Sequence, residues 1–123
     1  MISNFQVNRF SSNDINRYLS GHADQLGNEM IQAIDIIMRS LLEKGEEASM
    51  VQPGFQMYNQ IANTLGCKIS GPQFPPDFQF PHLELKESIN TKTRLIVLVN
   101  PNNPTGTSVS IEQIEDILKS FPD

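Results

Sequence analysis

Apolar residues recur at spacings of three and four in the first half of the chain. Met30, Ile31, Ile34, Ile37, Met38, Leu41 and Leu42 form one broad stripe, which predicts a helix over 28–44. Asn28 suits the start of that helix, Glu29 the positive end of its dipole, and Gly45 the left-handed residue that commonly follows a helix end. Ala48–Gln52 reads as a short strand entering a Pro53-Gly54 turn. Phe55, Tyr58, Ile61, Ala62 and Leu65 repeat at helical spacing up to Gly66, a second stop, and Cys67–Ser70 reads as another strand. Pro72, Pro75, Pro76 and Pro81 mark a surface connection, after which Leu83–Ile89 suits a short helix. Arg94–Asn100 contains the unbroken run Leu95, Ile96, Val97, Leu98, Val99 and predicts a buried strand. Ser110 with Gln113 three residues on has capping-box spacing, and Ile111, Ile114, Ile117, Leu118 and Phe121 line one face of a last helix. Residues 1–27 show no sustained period and read as a loop or arm.

Helices alternating with short apolar strands predict an α/β layer, with a mainly parallel sheet covered by flanking helices through right-handed crossovers. Three strands make a narrow sheet with two open edges, which soluble proteins avoid, so the chain reads as incomplete.

Composition narrows the function classes. A chain of 123 residues with 38% hydrophobic content is long enough for one modest core. Its longest apolar run is far short of the roughly 18 residues a membrane span needs. Met1–Phe10 has neither a secretory leader nor a transit-peptide pattern, which makes the cytoplasm the expected location. The net charge of −5 and the scattered basic residues argue against a nucleic-acid partner. Cys67 is the sole cysteine and is expected to pack in the core. His22 and His82 lack neighbouring acids or cysteines at ligand spacing, so no metal is expected and both read as surface histidines. Glu43, Glu46 and Glu47 read as a solvated rim rather than a catalytic pair, and Lys44, Lys68, Lys86, Lys92 and Lys119 as surface charges.

The segment Asn100-Pro101-Asn102-Asn103-Pro104-Thr105-Gly106 follows the most apolar strand directly. Ligands of open α/β sheets sit beyond the carboxyl ends of strands, where this loop falls. Its two prolines fix φ twice and remove two donors, and either X-Pro bond is free to be cis, so the intervening asparagines hang on a stiff backbone. The same residues also make an ordinary strand-to-helix turn.

In order, the seven residues resemble the loop of class I/II (fold-type I) pyridoxal-phosphate-dependent aminotransferases, nearest to the histidinol-phosphate type. The resemblance implies a partial three-layer α/β/α large domain. In that family the asparagine before Pro-Thr-Gly hydrogen-bonds the phenolic oxygen of the cofactor ring, which assigns Asn103. Pro53-Gly54-Phe55-Gln56-Met57-Tyr58 is similar to the segment whose aromatic stacks on the pyridine face, which assigns Phe55, a residue that also suits the helix core beside Tyr58. Asn16-Arg17-Tyr18 is similar to an Asn-Arg-Tyr-Pro region whose tyrosine reaches the cofactor phosphate of a second subunit, which assigns Tyr18, although Leu19 replaces the proline. Leu26-Gly27-Asn28-Glu29-Met30 lacks most of the family's Gly-Asn-Gly-Ser-Asp-Glu phosphate loop. The Schiff-base lysine and the acid opposite the pyridine nitrogen have no counterpart up to Asp123, so no catalytic residue is assigned and the chain alone is expected to be inactive. Residues 28–123 would then be part of the cofactor-binding domain. The implied enzyme is a homodimer that passes an amino group between a phosphorylated amino alcohol, as small-molecule donor, and the 2-oxo acid 2-oxoglutarate in histidine biosynthesis. A non-catalytic remnant, or a relative of threonine-phosphate decarboxylase, is the other reading.

Overall fold

The computed structural model of the chain describes residues 28–122. The arm over 1–27, with Tyr18 and His22, lies outside the described residues.

Within the described residues the stripe at 28–44 forms helix α1 over 28–41, which ends three residues before its pattern suggests. Asn28 is already helical, so the cap assigned to it falls outside the described residues. The far end opens into a turn at Lys44-Gly45, where Gly45 takes φ 90° and its N–H donates to Gly66 O at 3.0 Å. Strand β1 (Glu47–Ser49) follows, then α2 (Met57–Leu65), β2 (Lys68–Ser70), α3 (His82–Ser88), β3 (Thr93–Ile96) and α4 (Ile111–Ser120). Gly66 caps α2 at φ 70°, as its sequence position predicts.

The sheet is parallel with order β2-β1-β3, and Ala48 stands opposite Ile69 on one side and Leu95 on the other. Each strand is shorter than its apolar run. β3 stops at Ile96 because its neighbour β1 ends at Ser49, and the last link is the Val97 N–H to Ser49 O bond of 2.8 Å. Val97–Val99 therefore continues without a ladder. The region read as a strand through Gln52 is interrupted likewise, resuming as one bridge between Gln52 and Gln73. Between them Gly71 has φ 134°, and a Cβ there would lie 2.3 Å from Met50 O, so only glycine lets the two backbones pass.

Alternate strand residues face opposite layers. Met38, Leu42, Ala48, Ile61, Ala62 and Cys67 form one buried cluster, with Leu95 against it, between the sheet and α1 and α2. Val51, Leu85 and Ile117 form the other, with Ile96 against it, beneath α3 and α4. Helices thus cover both faces, giving an α/β/α arrangement. Cys67 packs as expected, its thiol donating to Glu43 O at 3.0 Å. The stripe of α4 is only partly used. Ile117 is buried, but Ile111 and Leu118 stay 71% and 64% exposed, beyond the width that a three-stranded sheet can cover. Leu118 borders an open groove of about 670 Å³ along the outer edge of β3, with Leu95, Leu98 and Phe121.

Two readings of surface charge change. His82 opens α3 rather than sitting in a loop, and its Nε2 lies 2.6 Å from Asp116 Oδ2 on α4, an acid that is remote in sequence. Lys86 is not a free charge, since its ammonium donates to the same oxygen at 2.7 Å. The Lys86 hydrogen bond, then that of His82, holds the Asp116 carboxyl below its ordinary range against a smaller opposing effect of burial. Glu46 and Glu47 are tied as well: Arg94 donates to Glu46 at 3.0 Å and the Asn90 amide to Glu47 at 2.9 Å, an arrangement that joins segments at the amino ends of the strands and forms no carboxylate pair.

A depressed carboxyl pKa stabilises the folded state at neutral pH, and that contribution is lost as pH falls through the folded-state value. Thermal melts from about pH 5 to about pH 3 should therefore show a steeper loss of Tm in the wild type than in Asp116→Asn, whose acid limb is flatter and whose neutral-pH Tm is lower.

Candidate functional site

The segments leaving the carboxyl ends of the strands, 50–56 from β1 and 97–109 from β3, meet at one rim of the sheet. Apolar residues hold them from below. Met50 and Val51 are buried, as is Val97, and the gap they share with Phe74, Phe80 and Asn102 is about 10 Å³, at the limit for a single water. A polar group above this layer must find its partners in the protein.

Each asparagine of the loop has a different fate. Asn100 closes the loop at its base, its amide donating to Val109 O at 3.2 Å and its carbonyl accepting from Val109 N–H at 3.0 Å. Asn102 is 8% exposed, and its Nδ2 donates both to Pro53 O at 3.0 Å and to Thr105 Oγ1 at 2.9 Å. Its backbone is bound on both sides, the N–H donating to Thr107 O and the carbonyl accepting from Gly106 N–H, each at 2.7 Å. Gly106 takes φ 73° to turn that carbonyl bond. Asn103 is exposed and its carboxamide makes no hydrogen bond within the described residues. The Asn100-Pro101 and Asn103-Pro104 bonds are both cis.

The Asn102 bond to Pro53 brings the Asn103 loop against the segment that carries Phe55. Phe55 lies two residues before α2, half-buried, with its ring edge-on to Tyr58 at 6.3 Å and 79°. Contact with Tyr58 and an uncovered ring surface are thus both present. Burial raises the Tyr58 hydroxyl pKa. Gln52, on the same segment, has its Nε2 buried without a partner.

Sequence reasoning singled out Asn103 and Phe55, and the structure places the two segments together. It missed Asn102 and Gln52. Two adjacent asparagines in one turn are equivalent by composition, and the inward one is set by backbone direction. The bond that distinguishes Asn102 spans 49 positions, from residue 53 to residue 102.

The rim has little acid–base chemistry of its own. Segments 50–56, 71–81 and 97–109 contain Asp77 as their only ionisable side chain. Lys68 and Lys92 stand at the amino ends of β2 and β3, Lys86 is paired with Asp116, and Lys44 and Lys119 follow α1 and lie in α4. Asn103 can donate to or accept from a ligand oxygen, and Phe55 can lie against a flat ring. Among the described residues of these segments, Asp77 is the one carboxylate, and its Oδ1 accepts from Gln79 N–H at 3.1 Å.

A model of the family described as aminotransferase class I and II matches residues 17–122. The chain is 33% identical over 101 residues to histidinol-phosphate aminotransferase 2 of Carboxydothermus hydrogenoformans, covering 80% of this chain and 27% of that protein. It is 31% identical over 96 residues to the glutamate-pyruvate aminotransferase AlaA of Haemophilus influenzae, covering 76% of this chain and 24% of that protein. Among solved structures it superposes on the alanine aminotransferase of Pyrococcus furiosus with a TM-score of 0.66 at 26% identity, over 73% of this chain and 23% of that one. The chain therefore spans about a quarter of the length of the relatives it matches.

The two asparagines should separate in a stability measurement. Asn102→Ala removes two part-buried donor bonds that close the loop on Pro53, so chemical denaturation should show a loss of about 1–3 kcal/mol. Asn103→Ala should stay within about 0.5 kcal/mol of wild type.

Proposed function

The chain belongs to the class I and II aminotransferases, and from that premise we propose that it contributes the ring-holding part of a pyridoxal-phosphate site. The observation that carries the reading is a free carboxamide, Asn103, on a loop whose other asparagines are bonded within the rim, with the half-buried aromatic Phe55 on the segment that Asn102 grips. These residues fit the cofactor. Asn103 would hold the phenolic oxygen of its ring by a neutral hydrogen bond, and Phe55 would lie against the ring face. When bound, pyridoxal phosphate supplies the electron sink for amino-group chemistry. The role of this rim is to bind and orient, and its one ionisable side chain, Asp77, is engaged by the Gln79 N–H at 3.1 Å.

In the whole protein the reaction we propose is amino transfer from a phosphorylated amino alcohol of the histidinol-phosphate kind to 2-oxoglutarate. The name and 33% identity of the Carboxydothermus relative support that choice. The 31% identity to a glutamate-pyruvate aminotransferase supports a second reading, in which the donor is a plain amino acid. The proposal extends to a large-domain role for residues 28–123, a homodimer in which Tyr18 contacts the partner's cofactor phosphate, and a cytoplasmic setting. With no lysine in its rim segments to form a Schiff base, the chain alone is read as non-catalytic.

Isothermal titration of the chain with pyridoxal phosphate tests the site without requiring turnover. One site per chain is expected, weakened about tenfold in Asn103→Ala, the size of one lost hydrogen bond, and several-fold in Phe55→Ala. Absence of saturable binding, or equal affinity in wild type and Asn103→Ala, would overturn the reading.

A further inference from the structure

We propose that Asn102, Thr105 and Thr107 form a positioning relay. It holds Asn103 and Phe55 in fixed relation and ties the backbone of Phe78 to the same rim. The proposal rests on the reading of Asn103 and Phe55 as ligand contacts. The relay is a single run of hydrogen bonds across three segments: Asn102 Nδ2 to Pro53 O at 3.0 Å and to Thr105 Oγ1 at 2.9 Å, Thr105 Oγ1 to Thr107 Oγ1 at 2.9 Å, and Thr107 Oγ1 to Phe78 O at 2.7 Å.

Its direction is fixed by the number of protons. Both protons of the Asn102 amide are used, one on Pro53 and one on Thr105. Thr105 Oγ1 accepts from that amide and from Thr107 N–H at 3.3 Å, so its single proton goes on to Thr107. Thr107 Oγ1 accepts it and must donate its own proton to the Phe78 carbonyl. No hydroxyl can turn without breaking a bond at both of its ends, and each bond polarises the next in the same sense.

The relay ends on a residue whose conformation its own packing does not explain. Phe78 has φ 57°, the only positive φ of a non-glycine among the described residues, and the residue is 54% exposed. A left-handed aromatic is strained, and so much exposure gives little burial to offset it. What holds it is polar. Phe78 N–H donates to Pro75 O at 2.9 Å, Gln79 N–H donates to Asp77 Oδ1 at 3.1 Å, and the relay takes the carbonyl. Strain that persists through a network of this kind, at the edge of a ligand site, is what a position needed for geometry rather than for stability shows. At the other end Asn103 sits between a residue bonded through backbone and side chain and a proline, so its side chain is free on a fixed backbone. That is the condition for binding with little ordering cost.

Two isosteric breaks test the relay independently in the full chain: Thr107→Val and Thr105→Val, with Thr107→Ser and Thr105→Ser as hydroxyl-retaining rescues. In NMR spectra each valine variant should shift the Asn103 carboxamide and Phe55 ring signals and speed exchange of the Gly106 amide about tenfold, the scale of one lost hydrogen bond, and each serine variant should restore both. Affinity for pyridoxal phosphate should fall several-fold in the valine variants and recover with serine. Unchanged Asn103 and Phe55 signals in both valine variants would overturn the proposal. So would shifted signals with wild-type affinity, since the relay would then be structural only. Absence of pyridoxal-phosphate binding by the wild type would defeat the cofactor reading and, with it, the ligand-positioning role, even if the valine shifts showed the relay to be real.

Discussion

One hydrogen bond organises the candidate site: the buried Asn102 amide against the Pro53 carbonyl, 3.0 Å apart across 49 positions of sequence. It is made over a layer whose gap, about 10 Å³, is at the limit for a single water, so a donor left unpaired there has little solvent to turn to. The dry layer of Met50, Val51 and Val97 thus forces the polar loop to close on the turn after β1. With Asn100 fastened to Val109, only Asn103 is left to face outward. Burial in one layer and exposure in the next are two results of the same constraint.

Much of the fold was legible because helix and strand leave different periods. The stripe of α1, the glycine stop after α2 and the capping box of α4 all appear where the pattern puts them, and the bonds of that box are present at 3.2 and 3.0 Å. Strand lengths were not legible. An apolar run such as Leu95–Val99 reports burial, whereas a ladder also needs a partner of equal length, and β1 has only three residues. Exposure of Ile111 and Leu118 escaped for a similar reason: a stripe shows which face is apolar and not how much neighbour exists to cover it. The pairing of His82 and Lys86 with Asp116 spans 34 and 30 positions and leaves no local signal.

The site was legible as a segment and not as an arrangement. Order along the Asn100–Gly106 loop carried the family, and family membership is what the comparison over residues 17–122 shows. The roles within the loop depend on which amide turns inward, and on Thr107 and Phe78, which no motif singled out. The rim that results is nearly free of ionisable groups. What it offers a bound molecule is a neutral amide and an aromatic face rather than charge.

The most direct test of this account is the side-chain amide spectrum of the chain in solution. If the inward amide closes the site, Asn102 Nδ2 protons give separated, slowly exchanging signals with nuclear Overhauser contacts to Pro53 and Thr105, while those of Asn103 exchange as in a free asparagine. A protected Asn103 amide beside a freely exchanging Asn102 would contradict it.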